Sequence, residues 1–116
     1  VKVMVTELDV NVLPNPKKFG GADINQNFKY AEILNPYKNG LPKDVEKQFE
    51  QRYLDLFKIY YRHRGQISRV TLWGVTDTKS WLNDFPVPGR VNYPLLFGRD
   101  NKPKPVVDKI IEIFKK

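Results

Sequence analysis

The sequence predicts an α/β fold in which two parallel strands are joined by a long helix. A β-branched run over residues 1–10 predicts the first strand, residues 44–64 have an amphipathic helical pattern, and residues 66–75 predict the second strand. A crossover that contains a long helix implies that the two strands run parallel. A second apolar helical pattern over residues 103–116 completes the order βαβα.

The first strand carries apolar side chains and ends in acid. Val1, Val3 and Val5 share one face of an extended chain with Glu7 and Asp9, because side chains alternate with period two. Near-continuous hydrophobicity predicts a parallel strand buried on both faces, and in barrel enzymes such strands carry catalytic groups at their C-terminal ends. From this pattern, Glu7 is a candidate nucleophile, general acid or base, metal ligand or buried ion-pair partner.

The helix over 44–64 has one continuous apolar stripe, which we interpret as a core-packing face. Pro42 suits its start, and Gly65 is expected to form a left-handed cap at its end. The single histidine, His63, lies in the last turn, where an exposed residue facing the helix dipole is expected and not a ligand or base. The stripe consists of Val45, Phe49, Tyr53, Leu56, Phe57 and Tyr60.

Two long loops follow the strands. Residues 11–41 are polar and rich in turn signals, so they are either a functional wall of a cleft or a variable surface excursion. A short helical turn is expected over 78–84, and residues 85–98 form a second loop on the same edge as Glu7.

Composition limits the class of protein. The 116 residues suffice for one small domain or part of one, and no apolar run approaches the roughly 20 residues that span a bilayer. The absence of cysteine excludes disulfides and thiolate metal sites. The net charge of +7 is scattered, without the aromatic-interleaved basic motif of RNA-binding folds, so a nucleic-acid module is the weakest alternative. We expect no cofactor, metal, nucleic-acid partner or membrane association.

The chain is expected to be incomplete. Its first residue belongs to a predicted core strand, which suggests a cut before Val1. Two strands and two helices cannot cover both faces of the strands, so a partner is required.

Two tryptophans lie near the end of the second strand, Trp73 within its predicted span and Trp81 in the helical turn after it. Each is ordinarily a core residue, but indole faces beside carboxylates suit sugar rings, which have apolar faces and hydroxyls that need hydrogen bonds. The combination favours a carbohydrate site.

Three sequence motifs resemble those of glycoside hydrolase family 10, whose best-known activity is endo-β-1,4-xylanase. Residues 5–10 (VTELDV) resemble the motif of its seventh strand, and residues 72–77 (LWGVTD), followed by Ser80 and Trp81, resemble that of its eighth. The runs 94–97 (PLLF) and 102–106 (KPKPV) resemble the approach to its last helix. Only residues 11–41 depart, being longer than the usual loop.

The resemblance implies a fold and a set of roles. Residues 1–116 would be the last two βα units, with strands 7 and 8, of a TIM (β/α)8 barrel, in which 11–41 is a long βα loop and another chain supplies strands 1–6. Glu7 matches the catalytic nucleophile, and Asp9 matches a residue that orients it together with a histidine of the sixth strand. Trp73 and Trp81 match the indoles that frame the glycone side of the cleft.

The implied function is retaining hydrolysis of internal bonds of xylan or xylo-oligosaccharides, with the acid/base glutamate on a strand outside this chain. The resemblance also implies a secreted, periplasmic or cell-surface location, because xylan is too large to enter a cell. The alternatives are a related β-glycanase that acts on β-glucan and an inactive sugar-binding relative.

Overall fold

The computed structural model describes residues 1–14, 31–85 and 88–115, and the side chains of residues 31 and 32 are not described. Within this part of the chain, two strands form a parallel sheet, β1 (Val3–Leu8) and β2 (Ile67–Leu72). The sequence prediction of parallel strands is therefore confirmed. Their register pairs Val5 with Val70 and Leu8 with Leu72, with irregularities between these points.

The helices are α1 (Ala31–Leu34), α2 (Lys43–Arg62) and α3 (Pro105–Phe114), and a 3-10 helix covers Asp77–Lys79. Helix α1 lies within the stretch 11–41 that was expected to be loop, and residues 15–30 of that stretch lie outside the described residues. No described helix combines the length and the apolar character needed to cross a membrane.

A core forms between α2, α3 and the loop before α3. Phe49 and Tyr53 of the predicted stripe are buried there, with edge-to-face rings 4.9 Å apart, so the interpretation of the stripe as a packing face is confirmed. Their buried neighbours are Leu96, Val106 and Ile110. Pro105 suits the first turn of α3, where its missing N–H has no helical acceptor to lose.

The expected cap of α2 is wrong. The helix ends at Arg62 and is capped by His63, whose N–H donates to the carbonyl of Ile59, and Gly65 is not among the glycines with positive φ. The chain instead leaves α2 through hydrogen-bonded turns, in which the carbonyls of Tyr61 and His63 accept from backbone N–H groups further along the chain. No left-handed glycine is therefore required there. His63 itself is exposed, as predicted.

The expectation that β1 is buried on both faces is also wrong for this chain. Val3 is 51% exposed and Met4 53% exposed, although both are large apolar side chains. Within the described residues β1 pairs only with β2, so its apolar side chains have few neighbours to pack against.

Candidate active site

The carboxyl ends of β1 and β2 meet at one edge of the sheet, because the strands are parallel. The backbone N–H of Trp73 donates to the carbonyl of Leu8 at 2.9 Å, which joins the two strand ends directly. Glu7 is the penultimate residue of β1, and its side chain is exposed to solvent. The ion-pair alternative for Glu7 finds no support among the described residues, where its carboxylate has no hydrogen bond or salt bridge.

The structure brings two of the predicted site residues into contact. The indole Nε1–H of Trp81 donates to Oδ2 of Asp9 at 2.9 Å, across 72 positions of sequence. Trp81 keeps 54% of its surface exposed, and the ring of Phe85 lies beside it with centroids 5.9 Å apart. The contact gives an indole that is fixed at its edge and open on its surface.

Trp73 is half exposed and is placed by its backbone. The next residue, Gly74, has φ +133°, and a Cβ there would lie 2.9 Å from Cδ1 of the buried Leu95. A side chain at position 74 would therefore be strained and crowded, which explains why glycine is needed where the chain leaves β2. No side-chain hydrogen bond joins Trp73 to Glu7, Asp9 or Trp81 among the described residues.

A buried carboxylate lies behind the Trp81 turn. Asp77 is fully buried; its Oδ1 accepts from the N–H of Leu95 at 2.9 Å, and its Oδ2 lies 2.9 Å from Nζ of Lys104. Burial raises the pKa of Asp77, with the Lys104 cation opposing the shift, and burial lowers the pKa of Lys104, with Asp77 opposing. The pair ties the 3-10 helix to the start of α3.

A buried arginine fixes the loops around the site. Arg90 is 2% exposed and donates to the carbonyls of Leu34 at 2.6 Å, Phe85 at 2.9 Å and Pro14 at 2.6 Å. Three chain segments far apart in sequence converge on one guanidinium, whose pKa is lowered by burial.

Buried amides extend this network. Asn92, fully buried, donates from Nδ2 to Oδ1 of Asn11 at 2.7 Å, and its N–H donates to Oδ1 of Asn83 at 3.0 Å. None of the buried polar residues Asp77, Arg90 and Asn92 was predicted from sequence to have a structural role. Asp77 belongs to the LWGVTD motif, and this was the one sequence signal of its importance. The hydrogen-bond partners of Arg90 and Asn92 lie up to 76 and 81 positions away, so the sequence gives no sign of these contacts.

A cleft lies in another part of the described residues. Its volume is about 440 Å³, and it opens between the N-terminal ends of α2 and α3, lined by Phe49, Asp77, Tyr93 and Lys104 among others. None of Glu7, Asp9, Trp73 or Trp81 lines it. The described residues also contain no group of three or more His, Asp or Glu side chains that could hold a metal ion.

The sequence model of glycosyl hydrolase family 10 matches residues 1–113. The chain belongs to glycosyl hydrolase family 10. The resemblance of the VTELDV and LWGVTD motifs to this family is thereby confirmed, and the chain is part of the family's TIM-barrel fold.

Curated members of family 10 match most of the chain. An endo-1,4-beta-xylanase A of Xylanibacter ruminicola is 60% identical over 114 residues, which cover 98% of this chain and 31% of that protein. A beta-1,4-xylanase of Dictyoglomus thermophilum is 33% identical over 112 residues, covering 97% of this chain and 27% of that protein. The chain thus spans about a third of the length of these relatives.

Solved family 10 structures show the same arrangement. A GH10 endoxylanase retrieved from a sugarcane soil metagenome superposes with a TM-score of 0.78 at 45% identity, covering all of this chain and 31% of that one. A mutant structure in complex with xylotriose superposes with a TM-score of 0.72 at 29% identity, covering 97% of this chain and 29% of that one.

Proposed function

We propose that the protein is a retaining endo-β-1,4-xylanase in which this chain supplies strands 7 and 8 of the barrel. The observation that supports the proposal is that Glu7 and Asp9 lie at the carboxyl end of β1, beside the end of β2 that Trp73 follows, and that Asp9 accepts the Trp81 indole N–H. The chain is 60% identical to a curated endo-1,4-beta-xylanase. An exposed carboxylate at a strand end can reach a substrate, and the two half-exposed indoles of Trp73 and Trp81 offer apolar surfaces for sugar rings.

Glu7 is the nucleophile in this proposal. Its carboxylate oxygen attacks the anomeric carbon of a xylose unit while a second carboxylic acid, outside the described residues, gives its proton to the departing glycosidic oxygen. Water then attacks the glycosyl–enzyme ester and loses a proton to that second carboxylate, which releases Glu7 and retains the anomeric configuration. Asp9, two residues along, supports the site at the same edge.

The remaining strands of the barrel complete the site. A full (β/α)8 barrel takes about 250 residues, and the exposed apolar side chains of Val3 and Met4 provide a surface for neighbouring strands. We propose that strands 1–6, in the same or a complementary chain, cover this surface and bring the acid/base glutamate opposite Glu7. Xylan is the proposed substrate, and because it is too large to enter a cell, we also propose that the enzyme is secreted.

Kinetics in the complete barrel test the role of Glu7. Substituting Glu7→Ala should lower the initial rate on xylan by roughly 10³-fold or more, since no nucleophile remains. Azide, a small anion that can occupy the vacated space, should restore turnover and give a product of inverted configuration. The matched control is Glu112→Ala, at an exposed glutamate of α3, which should keep the full rate. An undiminished rate in Glu7→Ala would contradict the proposal.

A β-glucan is the second candidate substrate. The observation that favours it is a relative named thermostable celloxylanase, from Thermoclostridium stercorarium, which is 31% identical and covers 87% of this chain. Initial rates on xylan and on a soluble cellulose derivative separate the two, and a higher rate on the cellulose derivative would replace xylan as the substrate. Binding of either polymer without hydrolysis would indicate an inactive sugar-binding relative.

A further inference from the structure

The bond between Asp9 and Trp81 restricts how the indole can sit. A tryptophan side chain has a single N–H donor, so a hydrogen bond at Nε1 fixes one edge of the ring. The acceptor here is a carboxylate oxygen at 2.9 Å, which makes the bond charge-assisted and stronger than a neutral one. Asp9 directly follows β1, so this bond fixes the position of the ring relative to the strand that carries Glu7.

A second contact limits the ring from another side. The Phe85 ring lies 5.9 Å from that of Trp81 at an interplanar angle of 41°. Phe85 is itself held through its carbonyl, which accepts from Nη1 of the buried Arg90 at 2.9 Å. Trp81 is therefore held by two groups although 54% of its surface remains in solvent.

An indole that is exposed yet held has little reason to be so for folding alone, because exposed apolar area adds no burial energy. Holding an aromatic platform before the ligand arrives reduces the ordering cost of binding. We propose that Asp9 is a positioning residue for Trp81, orienting the indole through Oδ2 so that its open face stacks on a xylose ring of the substrate.

This inference rests on the proposed xylanase function and refines the role of Asp9. The carboxylate has two oxygens, and Oδ2 is taken by Trp81. Support of the nucleophile would then fall to Oδ1. The two roles have different kinetic effects, because orienting Trp81 acts on sugar binding while support of Glu7 acts on the chemical step.

The first test uses hydrogen exchange of the two indole N–H groups, followed by NMR in the unmodified enzyme. Trp73 is the internal control, since it is 50% exposed, against 54% for Trp81, and has no indole hydrogen bond in the described residues. The Trp81 Nε1–H should exchange roughly tenfold more slowly than that of Trp73. Equal exchange rates would overturn the proposal, and this measurement needs neither activity nor a variant that folds.

The second test separates positioning from support of the nucleophile. Asp9→Ala should raise KM for a xylo-oligosaccharide roughly 3- to 10-fold, and Asp9→Asn, which keeps an oxygen acceptor, should recover most of the affinity. In a W81F background, which lacks the indole donor, Asp9→Ala should change KM by less than roughly twofold. Asp108→Ala, the same change at an exposed position of α3, is the control.

A KM increase that is the same in both backgrounds would overturn the proposal, since Asp9 would not be acting through Trp81. Equal KM values for Asp9→Asn and Asp9→Ala would do so as well. If the unmodified enzyme hydrolyses no xylan, the proposed function fails, while the exchange measurement still decides whether Asp9 holds Trp81.

Discussion

Two carboxylates separated by one residue have different surroundings at the end of β1. Glu7 is exposed, whereas Asp9 is partly buried and accepts the Trp81 indole N–H. A nucleophile must reach the anomeric carbon, and a positioning group must instead be engaged by the residue it orients. The difference between these environments is what assigns the two acids to different roles in the proposal.

Asp77 and Lys104 form the most buried ion pair of the described residues. We expect Asp77→Asn to destabilise the fold by roughly 2–3 kcal/mol, because the substitution leaves the Lys104 cation unpaired. The amide oxygen can still accept from the N–H of Leu95, so the loss reports mainly on charge. Urea unfolding of the complete barrel measures it.

The exposed pair Lys115 and Glu112 provides the control for Asp77→Asn, since Glu112→Gln should cost less than about 0.5 kcal/mol. Adding Lys104→Met to Asp77→Asn should recover part of the stability. If Asp77→Asn costs no more than Glu112→Gln, the buried pair does not hold the loop.

Helix α2 carries a titratable group into the core. Tyr53 is fully buried and donates from its hydroxyl to the carbonyl of Pro94 at 2.6 Å. Burial raises the pKa of Tyr53 well above its usual value, and the nearby carboxylates of Asp9 and Asp77 add to the shift. The helix is thus linked to the strand end and to the loop before α3.

This shift predicts alkaline sensitivity. The folded-state pKa of Tyr53 is the higher one, so above about pH 10 the unfolded chain loses a proton that the native state keeps. The contribution of the neutral Tyr53 hydroxyl to the free energy of unfolding should therefore be fully present below about pH 10. Above that pH, the free energy of unfolding should fall by up to about 1.4 kcal/mol per pH unit. The free energy of unfolding, measured between pH 8 and pH 11, gives the slope.

Tyr53→Phe should flatten that slope while lowering stability at pH 8 by about 1 kcal/mol, because the Pro94 carbonyl loses its donor. Tyr60 and Tyr93, whose pKa values burial also raises, would leave a residual decline. A slope as steep in Tyr53→Phe as in the parent would show that another group controls the alkaline transition.

The elements of this chain were more predictable than its loops. The 3.6-residue apolar period of α2 and the two strand patterns are local signals, so their existence and the parallel pairing followed from sequence. The end of α2 did not, because its turn uses backbone bonds at His63 and Tyr61 rather than a glycine cap. Burial of β1 was mispredicted because an apolar strand pattern reflects packing neighbours on both faces, which the described residues do not supply.

The candidate site was predictable by residue type but not by contact. Glu7, Asp9, Trp73 and Trp81 stood out through their motifs, yet the hydrogen bond between Asp9 and Trp81 joins residues 72 positions apart. The anchoring by Arg90 likewise depends on carbonyls 56 and 76 positions away, which carry no side-chain signal. Such contacts are set by the fold and become visible only with coordinates.

At the scale of the whole molecule, the chain matches about a third of the length of its family 10 relatives. It spans 31% of the Xylanibacter ruminicola relative, and its half-exposed Val3 and Met4 lie on the strand that carries Glu7. The residues proposed as the nucleophile, as its support and as indole platforms for sugar rings all lie in this part. In the proposed mechanism the acid/base carboxylate comes from another strand, so this part alone cannot complete the reaction.

Trapping the glycosyl–enzyme intermediate tests the central claim most directly. A xylobioside carrying fluorine at C2 and a good leaving group should react with the complete enzyme and release that group, but should turn over slowly because fluorine destabilises the oxocarbenium-like transition state. Proteolysis and mass spectrometry should then place the added fluorinated xylobiosyl mass on Glu7, with none on Asp9 and none in Glu7→Ala. A label on any other residue of the enzyme would contradict the assignment of Glu7 as the nucleophile.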